Sequence, residues 1–242
     1  MQRPWNDVPI ADCGEVLLTL KPFFYCLEPH PYFSLGAPYG ALADPWKLRE
    51  DVVRRLLMAQ ESLTEENPDL SLAVFDAWRP ISVQAFMVDH FISQQCIARG
   101  FNRNDKSKVL GLEKVVEEVG KYWAAPCSDQ RRPPPHSTGA ALDITLVDSN
   151  LDLLDMGGGI DEIGPTSSPN YYLFAAENDL GSHVWHQRRV SLANAMFKAG
   201  FIQHPNEWWH FSYGDQLWAW KSSACKAFYG ACSPSVSRES TF

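Results

Sequence analysis

The sequence predicts an α+β domain in which helices flank a mainly antiparallel central sheet. Two observations carry this prediction. Strand-like and helix-like segments follow one another without regular alternation, and 242 residues suit one hydrophobic core with long loops. Hydrophobic residues make up 45% of the chain and aromatic residues 12%, which is ample material for a buried core. We therefore expect one domain over residues 1–242, with residues 222–242 as a loosely ordered tail.

The first half of the chain opens with irregular structure and then predicts a long helix. The first forty residues are rich in Pro, Tyr, Phe and Gly, which is typical of loops and short strands. A helix is predicted to begin at Asp44-Pro45, an N-cap residue followed by a proline at the first helical position, and to end at Asn67-Pro68. Its apolar stripe consists of Leu48, Val52, Leu56, Ala59 and Leu63.

Three further elements follow this helix. Residues 70–75 form a short apolar run that is typical of a buried strand. Ser82 is predicted to open a second helix that runs toward Gly100, a residue suited to the left-handed closing position. A third helix is expected over residues 106–123.

The second half of the chain predicts two strands around a helix. Residues 140–147 (AALDITLV) alternate, so that Leu142, Ile144 and Leu146 share one face and Asp143 and Thr145 the other. A helix is predicted from about Ser182 to Lys198, stopping at Gly200. Residues 207–213 (EWWHFSY) predict a strand with Trp208, His210 and Ser212 on one face.

Charge and hydropathy exclude two classes of partner. The formal net charge is −8 and the pI is about 5.3, which disfavours a phosphate backbone or an anionic membrane surface. No apolar run approaches the ~20 residues that a membrane span requires. The N-terminal stretch MQRPWNDVPIADCG has no basic region followed by an apolar segment. We therefore expect no nucleic acid or membrane partner and a cytoplasmic location.

The six cysteines are spread thinly through the chain and include no C-x-x-C pair. This distribution favours reduced thiols. In a secreted protein, Cys225 and Cys232 could instead close a small loop.

The segment from His136 to Asp143 is the first candidate for chemistry. His136 follows three prolines, and Asp143 comes seven residues later on the polar face of the predicted strand. The prolines stiffen the approach, while Gly139 permits a turn that brings the two side chains together. Imidazole and carboxylate are normal zinc ligands. A loop histidine and a solvent-facing aspartate would show the same spacing.

The segment Glu207-Trp-Trp-His210 is the second candidate. His210 can supply a third metal ligand from a strand, while Glu207 stays close without binding. Catalytic zinc keeps three protein ligands and leaves a position for water, whose proton a neighbouring carboxylate can take. An aromatic strand with a capping glutamate and a core histidine would look the same.

Two further motifs offer charged side chains. In FDAWRP, Arg79 either pairs with Asp76 to close the strand or projects into a cleft, where a guanidinium can stabilise an oxyanion. In DMGGGID, three glycines form a loop that could bring Asp161 against a cationic substrate group, although such carboxylates are commonly solvated.

The remaining histidines have weaker support. His183 and His186 form an H-x-x-H pair on a predicted helix, but no glutamate follows in the H-E-x-x-H arrangement. A surface or packing role is expected for this pair. His30 and His90 have no supporting group of side chains.

Taken together, these segments resemble the D-alanyl-D-alanine dipeptidase family. PHPYFSLGAPYG, FDAWRP, HSTGAALD, MGGGID and EWWH occur in the family's order and cover nearly the whole chain. The resemblance implies long loops around a cleft that holds one zinc ion per chain. It implies His136, Asp143 and His210 as zinc ligands.

The resemblance also implies roles for the other charged residues. Glu207 would be the catalytic acid and base, Arg79 would stabilise the tetrahedral intermediate, and Asp161 would receive the substrate's ammonium group. The family often has a serine two residues before the first histidine, where it helps to bind the substrate carboxylate. This chain has Pro134 there, and Ser137 or Thr138 is expected to substitute.

The expected activity is zinc-dependent hydrolysis of the D-alanyl-D-alanine dipeptide, or of a similar D-residue dipeptide, to free amino acids. A small dipeptide is the expected partner. One alternative on the same scaffold is a D,D-carboxypeptidase or peptidoglycan endopeptidase that acts on longer peptides. The second alternative is a non-catalytic, zinc-stabilised peptide-binding module, against which the presence of Glu207 and Arg79 argues.

Overall fold

A five-stranded sheet forms the framework of the protein. The computed structural model describes residues 3–40, 44–174 and 179–233. The strands of the described residues are β1 Leu17–Thr19, β2 Tyr25–Cys26, β3 Lys47–Arg49, β4 Ser71–Asp76, β5 Ala141–Val147, β6 Ile202–Gln203 and β7 His210–Ser212. The helices are α1 Pro31–Ser34, α2 Glu50–Glu66, α3 Ile81–Ala98, α4 Val109–Val119, α5 Leu180–Lys198 and α6 Gln216–Lys221.

The sheet is mainly antiparallel, as the sequence predicts. Its strand order is β2-β4-β5-β7-β6, and only the β2–β4 pair is parallel among these strands. Strands β1 and β3 form a separate antiparallel pair. Helices α2 and α5 pack against each other, and each also contacts the large sheet. The α+β class is therefore confirmed.

Strand β5 lies at the centre of the sheet and carries Asp143. All seven of its residues are buried, because a strand neighbours it on each side and both faces are covered. Leu142, Ile144 and Leu146 belong to the main hydrophobic core. Asp143 is therefore on the opposite face from the core leucines, as the alternation predicts.

The predicted start of the first long helix is wrong. Helix α2 begins at Glu50, because the preceding residues pair with β1 as strand β3. Asp44 accepts a hydrogen bond from the Trp46 amide (2.9 Å) and caps a turn rather than a helix. The predicted stripe is correct from Val52 onward and is buried, and the helix ends before Asn67 as expected.

The other helices follow their predictions with shifted bounds. Helix α3 ends at Ala98, and Gly100 has the left-handed φ of 75° that its closing position requires. The third helix is shorter than predicted: a 3-10 turn at Lys106–Lys108 precedes α4, which ends at Val119. Helix α5 begins two residues early because Asp179 caps it by accepting from the Ser182 amide at 2.7 Å.

The strand predicted over residues 207–213 is also shorter, because only His210–Ser212 pair with β5. The Glu207 amide instead donates to the His204 carbonyl (3.4 Å), and the Trp208 amide donates to the Ser167 carbonyl (2.9 Å). Trp208 therefore does not share a strand face with His210, whereas Ser212 does.

The C-terminal tail packs on the domain in part, which corrects the expectation of loose order from residue 222 onward. Ala227 and Tyr229 are buried, and the Ala227 amide donates to the Pro9 carbonyl at 2.8 Å. Residues 234–242 lie outside the described residues. That residues 1–242 form one domain remains a prediction.

Across the described ranges, no helix combines the length and the apolar character that crossing a lipid bilayer would require.

Candidate active site

The three predicted metal ligands converge on one point. His136 lies in a 3-10 turn (Pro135–Thr138), Asp143 is on β5, and His210 begins β7 directly opposite Asp143. His210 Nδ1 lies 3.0 Å from Asp143 Oδ1 and 3.2 Å from His136 Nε2. One ligand atom from each residue lies within 4.8 Å of the other two, and all three residues are buried. This donor set suits a divalent metal ion.

Hydrogen bonds outside the donor set orient both imidazoles. His136 Nδ1–H donates to the Ala77 carbonyl (2.8 Å), which turns Nε2 toward Asp143. His210 Nε2 lies 3.4 Å from Ser212 Oγ, which turns Nδ1 toward the same carboxylate. Metal-binding histidines characteristically use their second nitrogen in this way. The site is therefore preorganised by the fold.

The turn that carries His136 depends on Gly139. Gly139 has a φ of 69°, and a Cβ added there would force the end of the Leu17 side chain to move. Replacing Gly139 with alanine should lower the free energy of unfolding by about 1 to 2 kcal/mol, because it adds left-handed strain and displaces the Leu17 side chain. Chemical denaturation checks this value. Gly100→Ala is the control, since Gly100 is also left-handed (φ 75°) but a Cβ added there would meet no atom within 4 Å. Equal losses in both variants would contradict the proposed displacement of Leu17.

Glu207 lies beside the donor set without belonging to it. Its Oε2 is 3.6 Å from His210 Nδ1, and its Oε1 is 3.4 Å from His204 Nδ1. Burial raises the pKa of Glu207 well above its usual value, and Asp143 adds to this effect while Arg3 opposes it. Burial also holds the pKa of His204 well below its usual value, so that ring is neutral. Glu207 is therefore a carboxyl group that holds a proton more readily than a solvent-exposed glutamate does.

Arg79 is both ion-paired and directed into the site. Its Nε and Nη2 bind Asp76 Oδ2 at 3.0 and 2.7 Å, and its Nη1 donates to Gln84 Oε1 at 2.8 Å. Nη2 also lies 3.5 Å from Asp143 Oδ2. Burial alone would lower the pKa of Arg79, but Asp76 and other neighbours raise it well above its usual value. Arg79 therefore forms the ion pair at the end of the strand and also lines a cavity at the site, while its role toward an oxyanion stays a prediction.

Asp161 reaches the same site from the glycine loop. It adopts a left-handed φ of 65°, and its Oδ2 accepts a hydrogen bond from Tyr32 Oη at 2.8 Å. Tyr32 Oη in turn accepts from Arg79 Nη2 at 3.2 Å. Burial, followed by the charge of Asp143, raises the pKa of Asp161 to about 7.

This shift predicts how stability depends on pH. The pKa of Asp161 rises from 3.8 to about 7 on folding, so the folded protein binds more protons than the unfolded chain between these values. Ionised Asp161 therefore destabilises the metal-free protein above pH 7, and this effect disappears as the pH falls toward 4. Asp161→Asn should stabilise the metal-free protein at pH 8 on the order of 1 kcal/mol or more. Denaturant unfolding of both proteins between pH 4 and 8 checks this. If the difference in free energy of unfolding between the two proteins does not change with pH, the raised pKa of Asp161 is contradicted.

One small cavity joins these groups. Six of the predicted residues line it: Arg79, His136, Asp143, Asp161, Glu207 and His210. Ser137 and Thr138 are not among the described residues that line it. Their hydroxyls bond locally, Ser137 Oγ to the Arg79 carbonyl (2.8 Å) and Thr138 Oγ1 to the Pro135 carbonyl (2.6 Å). Both hydroxyls are thus committed to the backbone around the site.

Beyond the predicted pairing of Asp76 with Arg79, the structure shows contacts at the site that the sequence did not predict. Asp76 is fully buried and binds His30 Nε2 (3.1 Å) and Tyr39 Oη (3.2 Å) as well as Arg79. His30, which the sequence does not connect with other candidate site residues, therefore contacts the site through Asp76. Arg3 also lines the cavity. Only the motif PHPYFSLGAPYG, as part of the family pattern, could have indicated the segment with His30 and Tyr32.

The other histidines do not join a metal group in the described part of the chain. His183 is exposed on α5, and His186 lies one turn later on the same helix. His90 packs between the rings of Phe86 and Phe91. Among the residues that the structure describes, the group of potential ligands found is His136, Asp143 and His210.

Comparisons with known proteins show the family to which the chain belongs. Residues 27–227 match the peptidase M15 family model that is described as D-Ala-D-Ala dipeptidase. The chain is 43% identical over 224 residues to a D-alanyl-D-alanine dipeptidase of Synechocystis sp., covering 90% of each protein. It is 37% identical over 84 residues to the D-alanyl-D-alanine dipeptidase of Escherichia coli, covering 31% of this chain and 36% of that protein.

Among solved structures, VanYB in complex with D-alanine-D-alanine matches with a TM-score of 0.44 and 15% identity. That match covers 90% of this chain and 89% of the other. The family model and the full-length relative decide the assignment: this chain belongs to the D-Ala-D-Ala dipeptidase family of M15 peptidases.

Proposed function

We propose that this protein is a zinc metallopeptidase that hydrolyses D-alanyl-D-alanine, or a similar D-residue dipeptide, to free amino acids. The observation that carries this proposal is the convergence of His136, Asp143 and His210 in a buried cavity that also contains Glu207 and Arg79. The relative that covers most of the chain is named for the same activity.

The three ligands fit zinc in number and chemistry. Two imidazole nitrogens and one carboxylate leave a fourth position for water, as in catalytic zinc sites. Bound zinc would supply Lewis-acid polarisation of the scissile carbonyl and a water of lowered pKa. We propose one ion per chain.

Glu207 is proposed as the acid and base. Its carboxylate takes a proton from the attacking water and returns it to the departing amine nitrogen, which completes the cleavage of the amide bond. A buried carboxyl with a raised pKa suits both transfers, because it can hold the proton between them.

Arg79 and Asp161 are proposed to position the substrate. Asp76 and Gln84 hold the Arg79 guanidinium in place, so that it stabilises the oxyanion that forms on the scissile carbonyl. Asp161 lies at the Tyr32 and Arg79 side of the cavity, where its carboxylate would pair with the substrate's free ammonium. Recognition of this ammonium would restrict the enzyme to peptides with a free amino group at the N-terminus.

We further propose a cytoplasmic location. The six cysteines are free thiols, the state that a reducing compartment maintains.

Substrate comparison tests the proposed function. Purified protein is incubated with D-alanyl-D-alanine, an N-acetylated form of this dipeptide, and a D-alanyl tripeptide, with and without a chelator. We expect free D-alanine from the free dipeptide alone, with the activity abolished by chelation and restored by zinc. Cleavage of the blocked or longer peptides would indicate a carboxypeptidase or endopeptidase. Absence of cleavage with zinc bound would indicate a peptide-binding module.

A further inference from the structure

Arg3 places a cation in the cavity that the mechanism above does not use. Its Nη2 donates to the backbone carbonyls of Tyr122 (2.8 Å) and Gly120 (3.4 Å). Within the described residues these are its hydrogen-bond partners, and no carboxylate forms an ion pair with it. A guanidinium that lines a cavity and has only neutral partners retains the capacity to bind an anion.

The fold holds Arg3 in this position. Arg3 immediately precedes the 3-10 turn Pro4–Asp7, whose Trp5 is 6% exposed and packs edge-on against the His204 ring at 5.7 Å. Gln216 Nε2 donates to the carbonyls of Asn6 (3.3 Å) and Val8 (2.6 Å) on the same segment. Arg3 therefore lies on an anchored segment. Because this segment is already ordered, ligand binding loses less conformational entropy.

Arg3 lies on the Glu207 side of the cavity. Trp5, on the same segment, packs against His204, whose Nδ1 lies 3.4 Å from Glu207 Oε1, whereas Asp161 accepts a hydrogen bond from Tyr32 on the side of Arg79. The cavity thus has a cation, Arg3, near the proposed proton donor Glu207. It has a carboxylate, Asp161, near Arg79, which is proposed to stabilise the oxyanion.

A dipeptide has matching charges. Its ammonium belongs to the first residue, and its carboxylate belongs to the residue whose nitrogen leaves. That nitrogen must approach Glu207 to receive a proton, so the carboxylate must lie on the Glu207 side. The hydroxyls of Ser137 and Thr138 are bonded to backbone carbonyls and do not face this space.

We propose that Arg3 binds the C-terminal carboxylate of the dipeptide and makes a free C-terminal carboxylate a requirement for productive binding. This inference rests on the proposed function, because it takes the orientation of the substrate from Glu207 and Asp161. Arg3 would then be a specificity-determining residue supplied by the N-terminal segment.

The first experiment compares D-alanyl-D-alanine with D-alanyl-D-alaninamide, in which the carboxylate is neutral. With zinc-loaded protein, Arg3→Gln should lower kcat/KM for the acid by about 30- to 1,000-fold, as loss of one member of a buried charge pair does. It should change kcat/KM for the amide by less than about threefold, because the amide has no charge for Arg3 to bind. Arg3→Lys should recover part of the loss. Arg54→Gln is the charge-matched control, since Arg54 lies exposed on α2.

If Arg3→Gln lowers kcat/KM by the same factor for the acid and the amide, the proposal is overturned. Arg3 would then act only on Glu207 or on the fold. Wild-type protein that processes the acid and the amide equally well would also overturn it.

Binding measurements test the role of Arg3 independently of the proposed hydrolysis. Calorimetry with zinc-loaded Glu207→Gln and the Arg3→Gln/Glu207→Gln double variant measures affinity for the acid and the amide without turnover. We expect the Arg3 substitution to weaken binding of the acid alone. Selective weakening without hydrolysis by the wild type would refute the proposed function and leave Arg3 as a carboxylate-binding residue. If Glu207→Gln binds the acid and the amide with equal affinity, or binds neither, the proposed role of Arg3 is overturned.

Discussion

Glu207→Gln should lower turnover of D-alanyl-D-alanine by about 10³-fold while the protein keeps one metal ion per chain. Glutamine has nearly the same volume as glutamate, so the cavity keeps its shape, but an amide cannot take and return a proton. Glu207 is 5% exposed and lies 3.6 Å from His210 Nδ1 without being part of the group of three ligands. Metal content by atomic absorption and steady-state kinetics measure the two halves of this prediction.

Glu61→Gln is the control for this substitution, because Glu61 is exposed on α2. It should have wild-type turnover and metal content. Wild-type turnover of Glu207→Gln would remove Glu207 from the mechanism. Loss of the metal would instead mean that Glu207 helps to hold it.

His210→Ala should weaken zinc binding by about 100-fold or more and reduce turnover to the level of chelator-treated wild type. Loss of a residue that hydrogen-bonds to a metal ligand lowers metal affinity about 10- to 100-fold. Loss of the ligand itself should lower it by at least about 100-fold. The substitution also removes a neighbour of Asp143, which lies 3.0 Å from His210 Nδ1. Competition with a chromogenic chelator measures the affinity.

A thermal readout gives a second, independent measure. A ligand that binds only the folded state stabilises it by about 2.7 kcal/mol at a concentration about 100 times its Kd. At this zinc concentration, zinc should therefore raise the Tm of the wild type much more than that of His210→Ala. His183→Ala is the matched control, because His183 is exposed on α5 and belongs to the H-x-x-H pair. Unchanged zinc affinity in His210→Ala would refute the ligand set, and lost affinity in His183→Ala would point to the pair on the helix.

Local sequence patterns determined which side chains are available for chemistry. The period-2 alternation of β5 separates Asp143 from Leu142 and Ile144, since successive residues of a strand face opposite sides. Gly139 marks the left-handed turn before this strand. These features depend only on neighbours in the chain, and a single sequence therefore contains them.

Element boundaries could not be predicted as well, because distant partners decide them. Residues Lys47–Arg49 have the periodicity of the helix that follows, but they pair with Leu17–Thr19 and become a strand. Arg49 Nε donates to the Thr138 carbonyl (2.9 Å), a bond across 89 residues that fixes this segment beside the His136 turn. No local propensity contains that contact.

The sequence by itself thus determined the α+β class and the six ionisable side chains that line the cavity. Tertiary structure alone decided how they meet: β7 lies next to β5, so that His210 faces Asp143 across a separation of 67 residues in the chain. It also decided that Arg3, from the other end of the chain, lines the same cavity. The physical reason is that periodicity specifies the face on which a side chain lies, whereas strand neighbours and packed segments are set by burial over long separations.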